Sequence, residues 1–347
     1  MAGNVSEWCL NETSEGFISA GGAWGEPVYT FANYGRYPGF YTSNKRGFRC
    51  AMNLGSTGND GNLRIEINKE IPVYTRSSDQ DFARWVKAHD YLKSPLDPQL
   101  EKQETDAWTL ERIEFNGADG ERAIAYLYLP KNFPRPFQVI HFVPPSDVEI
   151  GLRPPTRSAE SFLSTEIKSG RAVFVVVLKG YTERLRPAGF VQPNRTTAEY
   201  RDKIINWMTD LRRGLDYLET RNDIDSKKIA FFGPSAGATV GLILTAVDRR
   251  YASIILHGAG IRKSDTQWIA EANLVNFAPH IRGPIFLLQG RYDESFAWKT
   301  EAEPLYKLLR EPKRLILYEG GHVPSLELFA TTVHRSLDET LGPVKKE

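Results

Sequence analysis

The stretch KKIAFFGPSAGATVGLILTAV, residues 227–247, constrains this chain more than any other. Its apolar run Ile229-Ala230-Phe231-Phe232 stops at Gly233, and a helix-like apolar pattern resumes after Gly237. One serine, Ser235, stands between the glycines. A strand that enters a helix through Gly-x-Ser-x-Gly must turn very sharply, and the residue at the apex takes a strained backbone conformation. The flanking positions must be small, because strand and helix nearly touch there. The outcome is an exposed hydroxyl at a helix N-terminus, where free N–H groups and the helix dipole favour developing negative charge. An ordinary Gly/Ser-rich turn matches the same letters. The strand–turn–helix context favours the nucleophile.

Such a serine is weak until a general base takes its proton, and the base needs a third group to hold its tautomer. Around this kind of turn the chain order is Ser, then Asp or Glu, then His. Ligands sit beyond the carboxyl ends of the strands. GPIFLLQGRYDESF ends a strand at Gln289-Gly290 and places Asp293 three residues on; RLILYEGGHVPSLE ends the next near Glu319 and places His322 after a double glycine. A solvated turn aspartate and a surface histidine are the bland alternatives, but three groups at matched strand ends argue against coincidence. Glu294 is the fallback acid, and Glu319 reads as still on its strand. Of the six histidines, His89 and His334 fall in helices and His141 inside a strand. His257 comes too early in the order to be the base but can line the site. His280 has no acid placed for it.

A tetrahedral intermediate also needs oxyanion donors. One is the N–H after the nucleophile, Ala236. The other is expected from FVPPSDVEIG, where Pro144 and Pro145 have no N–H to give and Ser146 is the first donor available. Tyr181, His257, Tyr292 and Phe296 are the candidate pocket residues. Lys179, Glu183 and Arg184 of LKGYTER serve either that pocket or a salt-bridged loop.

Elsewhere the chain alternates strand and helix. Residues 78–92 have the caps and spacing of a helix. Residues 109–130 read as a hairpin with Asp119-Gly120 at its turn. Strands are expected at 137–143 and 172–180, the latter apolar enough to be buried on both faces. A long amphipathic helix is expected over 196–220, carrying Tyr200, Ile204, Trp207, Leu211, Leu215 and Leu218 on one side. Further strands lie around residues 251–258, 283–290 and 314–319, with helical stretches near Trp268, over 298–309 and over 326–341. The alternation implies a mostly parallel, doubly wound sheet with helices on both faces, the hairpin adding antiparallel strands at one edge. The first 54 residues, rich in Gly, Asn and aromatics, read as a small irregular appendage, and residues 54–62 as a loop or linker.

A formal net charge of +1 offers no broad attraction to nucleic acid or acidic membranes. No apolar run approaches the roughly 20 residues of a membrane span, and the start lacks the pattern of a signal peptide. Two cysteines, Cys9 and Cys50, make no disulfide scaffold. A reduced, cytoplasmic protein is expected, with no cofactor and no metal constellation of the HExxH or paired CxxC kind. Oligomeric state is not readable.

From about Trp108 onward the chain resembles the α/β-hydrolase superfamily, whose nucleophile, acid and histidine motifs match GPSAG, GRYDE and GGHVP. From roughly Asp81 it resembles the serine-esterase module fused behind bacterial serine/threonine kinases, related to dienelactone hydrolases and acetylxylan esterases. VIHFVPPS, VVVLKGYTERL and KKIAFFGPSAGA carry that likeness. It departs at Pro145, where a small residue is expected. The first 54 residues resemble the C-terminal end of a formylglycine-generating, sulfatase-modifying domain through MAGNVSEWCLNE, SAGGAW and GFRCAMNL. Gly3, Val5 and Glu7 match calcium-ligand positions of that family. Its catalytic cysteines are missing from GGAWGEPVYTFANY, so cysteine oxidation is expected to be absent.

The resemblance implies a three-part chain: the appendage (1–54), a linker and helical lead-in (55–105) and a hydrolase unit (106–347). It implies a Ser235–His322–Asp293 esterase acting on small-molecule esters; a non-catalytic regulatory module is the rival. Short acyl chains are expected, because the insertions 147–170 and 181–195 lack the apolar surface of a lipase lid. Tyr181, Phe190, Trp268, Tyr292 and Phe296 are candidate walls. The appendage, with its many aromatics (Tyr29 among them), is expected to act by packing.

Overall fold

The computed structural model describes residues 3–13, 16–24, 26, 31, 34–50, 65, 70–184 and 191–344. Phe190, Tyr29 and the expected linker at 54–62 lie outside the described residues.

The amino-terminal segment is more regular than its texture suggests. Strands β1 (Ser6–Thr13), β2 (Gly16–Ala20), β3 (Tyr34–Tyr37) and β4 (Arg46–Gly47) form a sheet in the order β3-β2-β1-β4. These strands are short and aromatic, without the aliphatic alternation by which a strand is read from sequence. Cys9 and Cys50 are free thiols.

Helix α1 (Asp79–Lys87) starts at Ser78, whose side chain accepts the Asp81 N–H at 3.0 Å. It is shorter than the expected 78–92. His89 lies past its end, where its Nε2 meets the Glu271 carbonyl at 2.8 Å. Strand β5 (Gln99–Glu104) follows, in a stretch expected to be linker. Its six residues are all exposed, so no buried face marks it, and its charge suits an edge strand. It pairs antiparallel with β6 (Trp108–Asn116), which pairs antiparallel with β7 (Arg122–Pro130). The β6–β7 turn places Asp119 at φ 54° and Gly120 at φ 70°, the left-handed region that Asp and Gly tolerate.

The remainder is β8 (Phe137–Phe142), α2 (Ser146–Glu149), α3 (Pro155–Lys168), β9 (Ala172–Val177), α4 (Ala198–Glu219), β10 (Ile224–Pro234), α5 (Ala236–Val247) and β11 (Tyr251–His257). Then come α6 (Leu274–Phe277), β12 (Ile285–Gly290), α7 (Glu303–Leu308), β13 (Lys313–Tyr318) and α8 (Leu326–Leu341). Around Trp268 short turns at Lys263–Gln267 and Ala270–Ala272 replace the expected helix.

Among the described residues nine strands make one sheet, in the order β13-β12-β11-β10-β8-β9-β7-β6-β5. From β9 through β8 to β13 neighbours run parallel; β5, β6 and β7 form the antiparallel edge. The parallel strands read as continuous apolar runs because both faces are covered. On β10, Ile229 and Phe231 face one core layer, with α4, α5 and α7. Ala230 and Phe232 face the other, with α3 and α8. Each phenylalanine so buried contributes roughly 1.5–3 kcal/mol. Residues 147–170, expected as an insertion, are therefore partly a layer of the fold: Ala159, Leu163 and Ile167 of α3 lie in the second core.

Candidate functional site

At the end of β10 the chain makes the turn its glycines predict. Ser235 has φ 53° and ψ −114°, a conformation that costs about 1–3 kcal/mol and persists only where the surroundings enforce it. Here the Ser235 N–H donates to the His257 carbonyl at 2.7 Å, and the Thr239 N–H to the Ser235 carbonyl at 3.1 Å. A Cβ on Gly233 would lie 2.6 Å from the carbonyl carbon of Gly237. A Cβ on Gly237 would collide with the Val143 carbonyl oxygen, on the loop leaving β8. Strand, helix and loop therefore touch backbone to backbone. The Ser235 side chain makes no cap bond to its own helix.

Two loops meet beside it. After β12, Asp293 directs Oδ2 to His322 Nδ1 at 2.8 Å. Its Oδ1 accepts the N–H groups of Ser295 and Phe296, each at 2.8 Å, and Gln289 Nε2 donates to Oδ2 at 2.8 Å. After β13, Tyr292 N–H donates to the Gly320 carbonyl at 2.9 Å, tying the two loops together. The Tyr318 hydroxyl lies 2.9 Å from the Gly321 carbonyl oxygen and 3.1 Å from that of His322. The His322 ring lies against Gly258: a Cβ there would be 2.6 Å from His322 Cε1. Gly258 follows His257, the residue whose carbonyl holds Ser235, so the His322 ring lies over the end of β11, the strand beside β10.

No family model matches the sequence. Among curated proteins it is 26% identical over 142 residues to the protein YfhR of Salmonella typhimurium strain LT2, across 33% of this chain and 47% of that one. To YfhR of Escherichia coli O157:H7 it is 28% identical over 134 residues, across 33% and 45%. The chain thus spans about half the length of the curated relatives it matches. Among solved structures, an acetyl xylan esterase from Paenibacillus sp. R4 superposes with a TM-score of 0.60 at 18% identity, covering 78% of this chain and 97% of that one. An acetyl xylan esterase from Thermoanaerobacterium sp. JW/SL YS485 gives 0.59 at 14% identity, covering 77% and 96%. A glucuronoyl esterase from Solibacter usitatus gives 0.52 at 15% identity, covering 76% and 98%. The fold is that of the α/β-hydrolases.

Within this α/β-hydrolase fold, burial alone would discharge the His322 imidazole. The adjacent Asp293 carboxylate outweighs it and raises the ring above its ordinary value of 6.5. Burial likewise opposes the Asp293 charge, but His322 and the Phe296 and Ser295 N–H groups hold that carboxyl below its ordinary range. Burial, then the neighbouring His322, lowers His257 to about 3. His257 is thus a neutral ring stacked 6.1 Å from His322, and its Nδ1 has no partner among the described residues.

A cavity of about 500 Å³ opens on Ser235 and is lined by Ser146, Ala236, Tyr181 and Phe296. His257 does not line it, because that ring lies beneath, buried beside His322. Tyr292 points elsewhere: it lines a separate cavity of about 190 Å³ between β3 and the Asp293 loop. Neither the Ser146 nor the Ala236 N–H has an acceptor among the described residues. Gly237 lets the β8 loop pack directly on the elbow, and both residues line the cavity that opens on Ser235. Tyr200 and Trp207 of α4 and Arg262 are further walls, and Gln289 a further donor to Asp293. Nothing in the sequence marks them as such: the spacing of Tyr200 and Trp207 shows only an apolar helix face.

Other candidates are engaged away from the serine. In LKGYTER, Lys179 pairs with Glu121 at 2.7 Å and Arg184 with Asp210 at 2.5 Å, so that stretch is mostly a salt-bridged loop. Glu319 is exposed and held by Arg291 and Tyr292. Glu7 is bound by Arg49 at 2.7 and 2.9 Å, and no group of three His, Cys, Asp or Glu side chains could hold a metal among the described residues. No described helix is long and apolar enough to cross a membrane.

Proposed function

We propose that the protein is a serine ester hydrolase. The observation that carries this is the strained Ser235 turn after β10, with a His322–Asp293 pair at 2.8 Å on the loops after β13 and β12. Ser235 Oγ attacks the ester carbonyl while His322 Nε2 takes its proton. The oxyanion is held by the N–H groups of Ala236 and Ser146. His322 returns the proton to the departing alcohol, leaving an acyl-enzyme. A water that gives its proton to the same nitrogen then releases the acid. Asp293 fixes the proton on Nδ1 and stabilises the imidazolium. Two of the structures that superpose on this chain are acetyl xylan esterases, in keeping with acetyl esters. We read the hydrolase unit as including residue 99 onward, since β5 belongs to its sheet, and the amino-terminal sheet as akin to the C-terminal end of a formylglycine-generating domain.

The cavity of about 500 Å³ is of ordinary size for a small ligand, and Tyr181, Trp207, Trp268 and Phe296 wall it. Among nitrophenyl esters of rising chain length, kcat/KM should peak between acetyl and about butyryl. A peak at eight carbons or more would refute the small-pocket reading. Turnover of none of them, with no covalent labelling of Ser235 by a fluorophosphonate, would sink the hydrolase reading itself.

The His322 shift fixes the sign of a pH effect. The free enzyme must hold the ring neutral to accept a proton. A raised value means that activity is lost as pH falls through a point above 6.5. The acidic limb of kcat/KM should therefore lie above pH 6.5 in wild type; a limb below 6.5 would contradict the pairing. The stability supplied by charging His322 runs the other way, being present at low pH and lost as pH rises through the same value.

A further inference from the structure

The amino-terminal sheet does more than cover apolar surface. Tyr37, the last residue of β3, is 3% exposed. The Arg46 guanidinium lies 3.6 Å from its ring centroid, and Tyr41 stacks on it at 4.9 Å. Tyr292 of the Asp293 loop packs against both rings, 5.6 Å from Tyr37 and 5.3 Å from Tyr41. The Tyr37 hydroxyl comes down on the histidine loop: a Cβ on Gly321 would lie 3.1 Å from it and 2.9 Å from Glu294 Oε2. That same Glu294 oxygen accepts the backbone N–H of His322 at 3.1 Å. One side of Gly321 thus meets both a phenol from the appendage and a carboxylate from the acid loop.

We propose that the amino-terminal sheet is part of the active-site frame: Tyr37 closes over Gly321 and Glu294, and Glu294 is a positioning residue that sets His322 through its backbone N–H. This rests on the serine hydrolase reading. Burial and then the Glu294 charge raise the Tyr37 phenol above its ordinary value, as two groups packed on one glycine should. Glu294 touches no reacting atom. Its acceptor oxygen fixes where the loop puts the ring, and an amide oxygen in the same place would serve.

The test uses full-length protein, nitrophenyl acetate turnover and the rate of Ser235 labelling by a fluorophosphonate. Glu294→Ala and Tyr37→Ala should lower kcat by about 10- to 100-fold, the scale of a displacement near 1 Å. KM should stay within about twofold, and labelling should slow in parallel, because the loss is in orienting the base and not in binding. Glu294→Gln should recover kcat to within about threefold of wild type, since it keeps the acceptor. If Tyr37→Ala fails to fold, Tyr37→Phe keeps the ring and removes only the hydroxyl, and it should still lower kcat at unchanged KM. Wild-type kcat in Glu294→Ala and Tyr37→Phe, or no recovery in Glu294→Gln, would overturn the inference while leaving an active esterase. A wild type with neither turnover nor labelling would overturn both readings together.

Discussion

Replacing Ser235 with alanine should lower kcat for ester hydrolysis by about 10⁴- to 10⁶-fold while leaving the melting temperature unchanged or raised. The chemical loss follows from the role of the hydroxyl: without it no acyl-enzyme forms, and the oxyanion donors and cavity alone retain a small residual rate. The thermal expectation follows from the backbone. Ser235 sits at φ 53° whether or not its oxygen is present, so alanine removes no hydrogen bond that holds the turn. His322→Ala should cost a similar factor. The double variant should be little worse than either single one, because the groups act as a unit. Near-normal turnover by a folded Ser235→Ala protein would exclude the proposed mechanism.

What could be read from the sequence here is what backbone geometry forces on residue type. Gly233 and Gly237 are small because a Cβ on either would strike backbone, so the elbow shows in the letters. Asp293 and His322 were placed by chain order and strand ends, and the fold brings them to 2.8 Å. Strand β5 escaped notice because an exposed edge strand has no buried face to give it a period. The walls of the cavity escaped for a different reason. Tyr200, Ile204 and Trp207 share the apolar face of α4 with Leu211, Leu215 and Leu218, and a period of 3.6 marks a face turned from water without saying what lies opposite. The second half of that face is packed core alone; the first half is buried in the same core and also borders the cavity. The packing of Tyr37 on Gly321 left no local trace, since the two residues are far apart in sequence and neither belongs to a periodic pattern.

Asp293→Asn should be nearly as damaging as loss of the serine, by a route that the hydrogen bonds specify. Asp293 Oδ1 accepts two backbone N–H groups, from Ser295 and Phe296. Neither can rotate away, so an asparagine must place its carbonyl oxygen there. Its NH2 then occupies the position of Oδ2, facing His322 Nδ1, which now meets a donor. The imidazole answers by moving its proton to Nε2, the nitrogen that must be bare to receive the Ser235 proton. The same NH2 also confronts Gln289 Nε2, itself a donor, so the amide has no comfortable alternative. The expected loss is about 10⁴-fold in kcat, with fold and KM largely retained because the two backbone bonds survive. The negative charge that raises His322 is gone as well, so the acidic limb of the residual activity should move down in pH. Asp293→Ala separates the two effects: it removes the charge but leaves no misplaced donor, so the ring is free to choose either tautomer. If Asp293→Asn proved more active than Asp293→Ala, the tautomer argument would fail, and Asp293 would act on His322 through its charge alone.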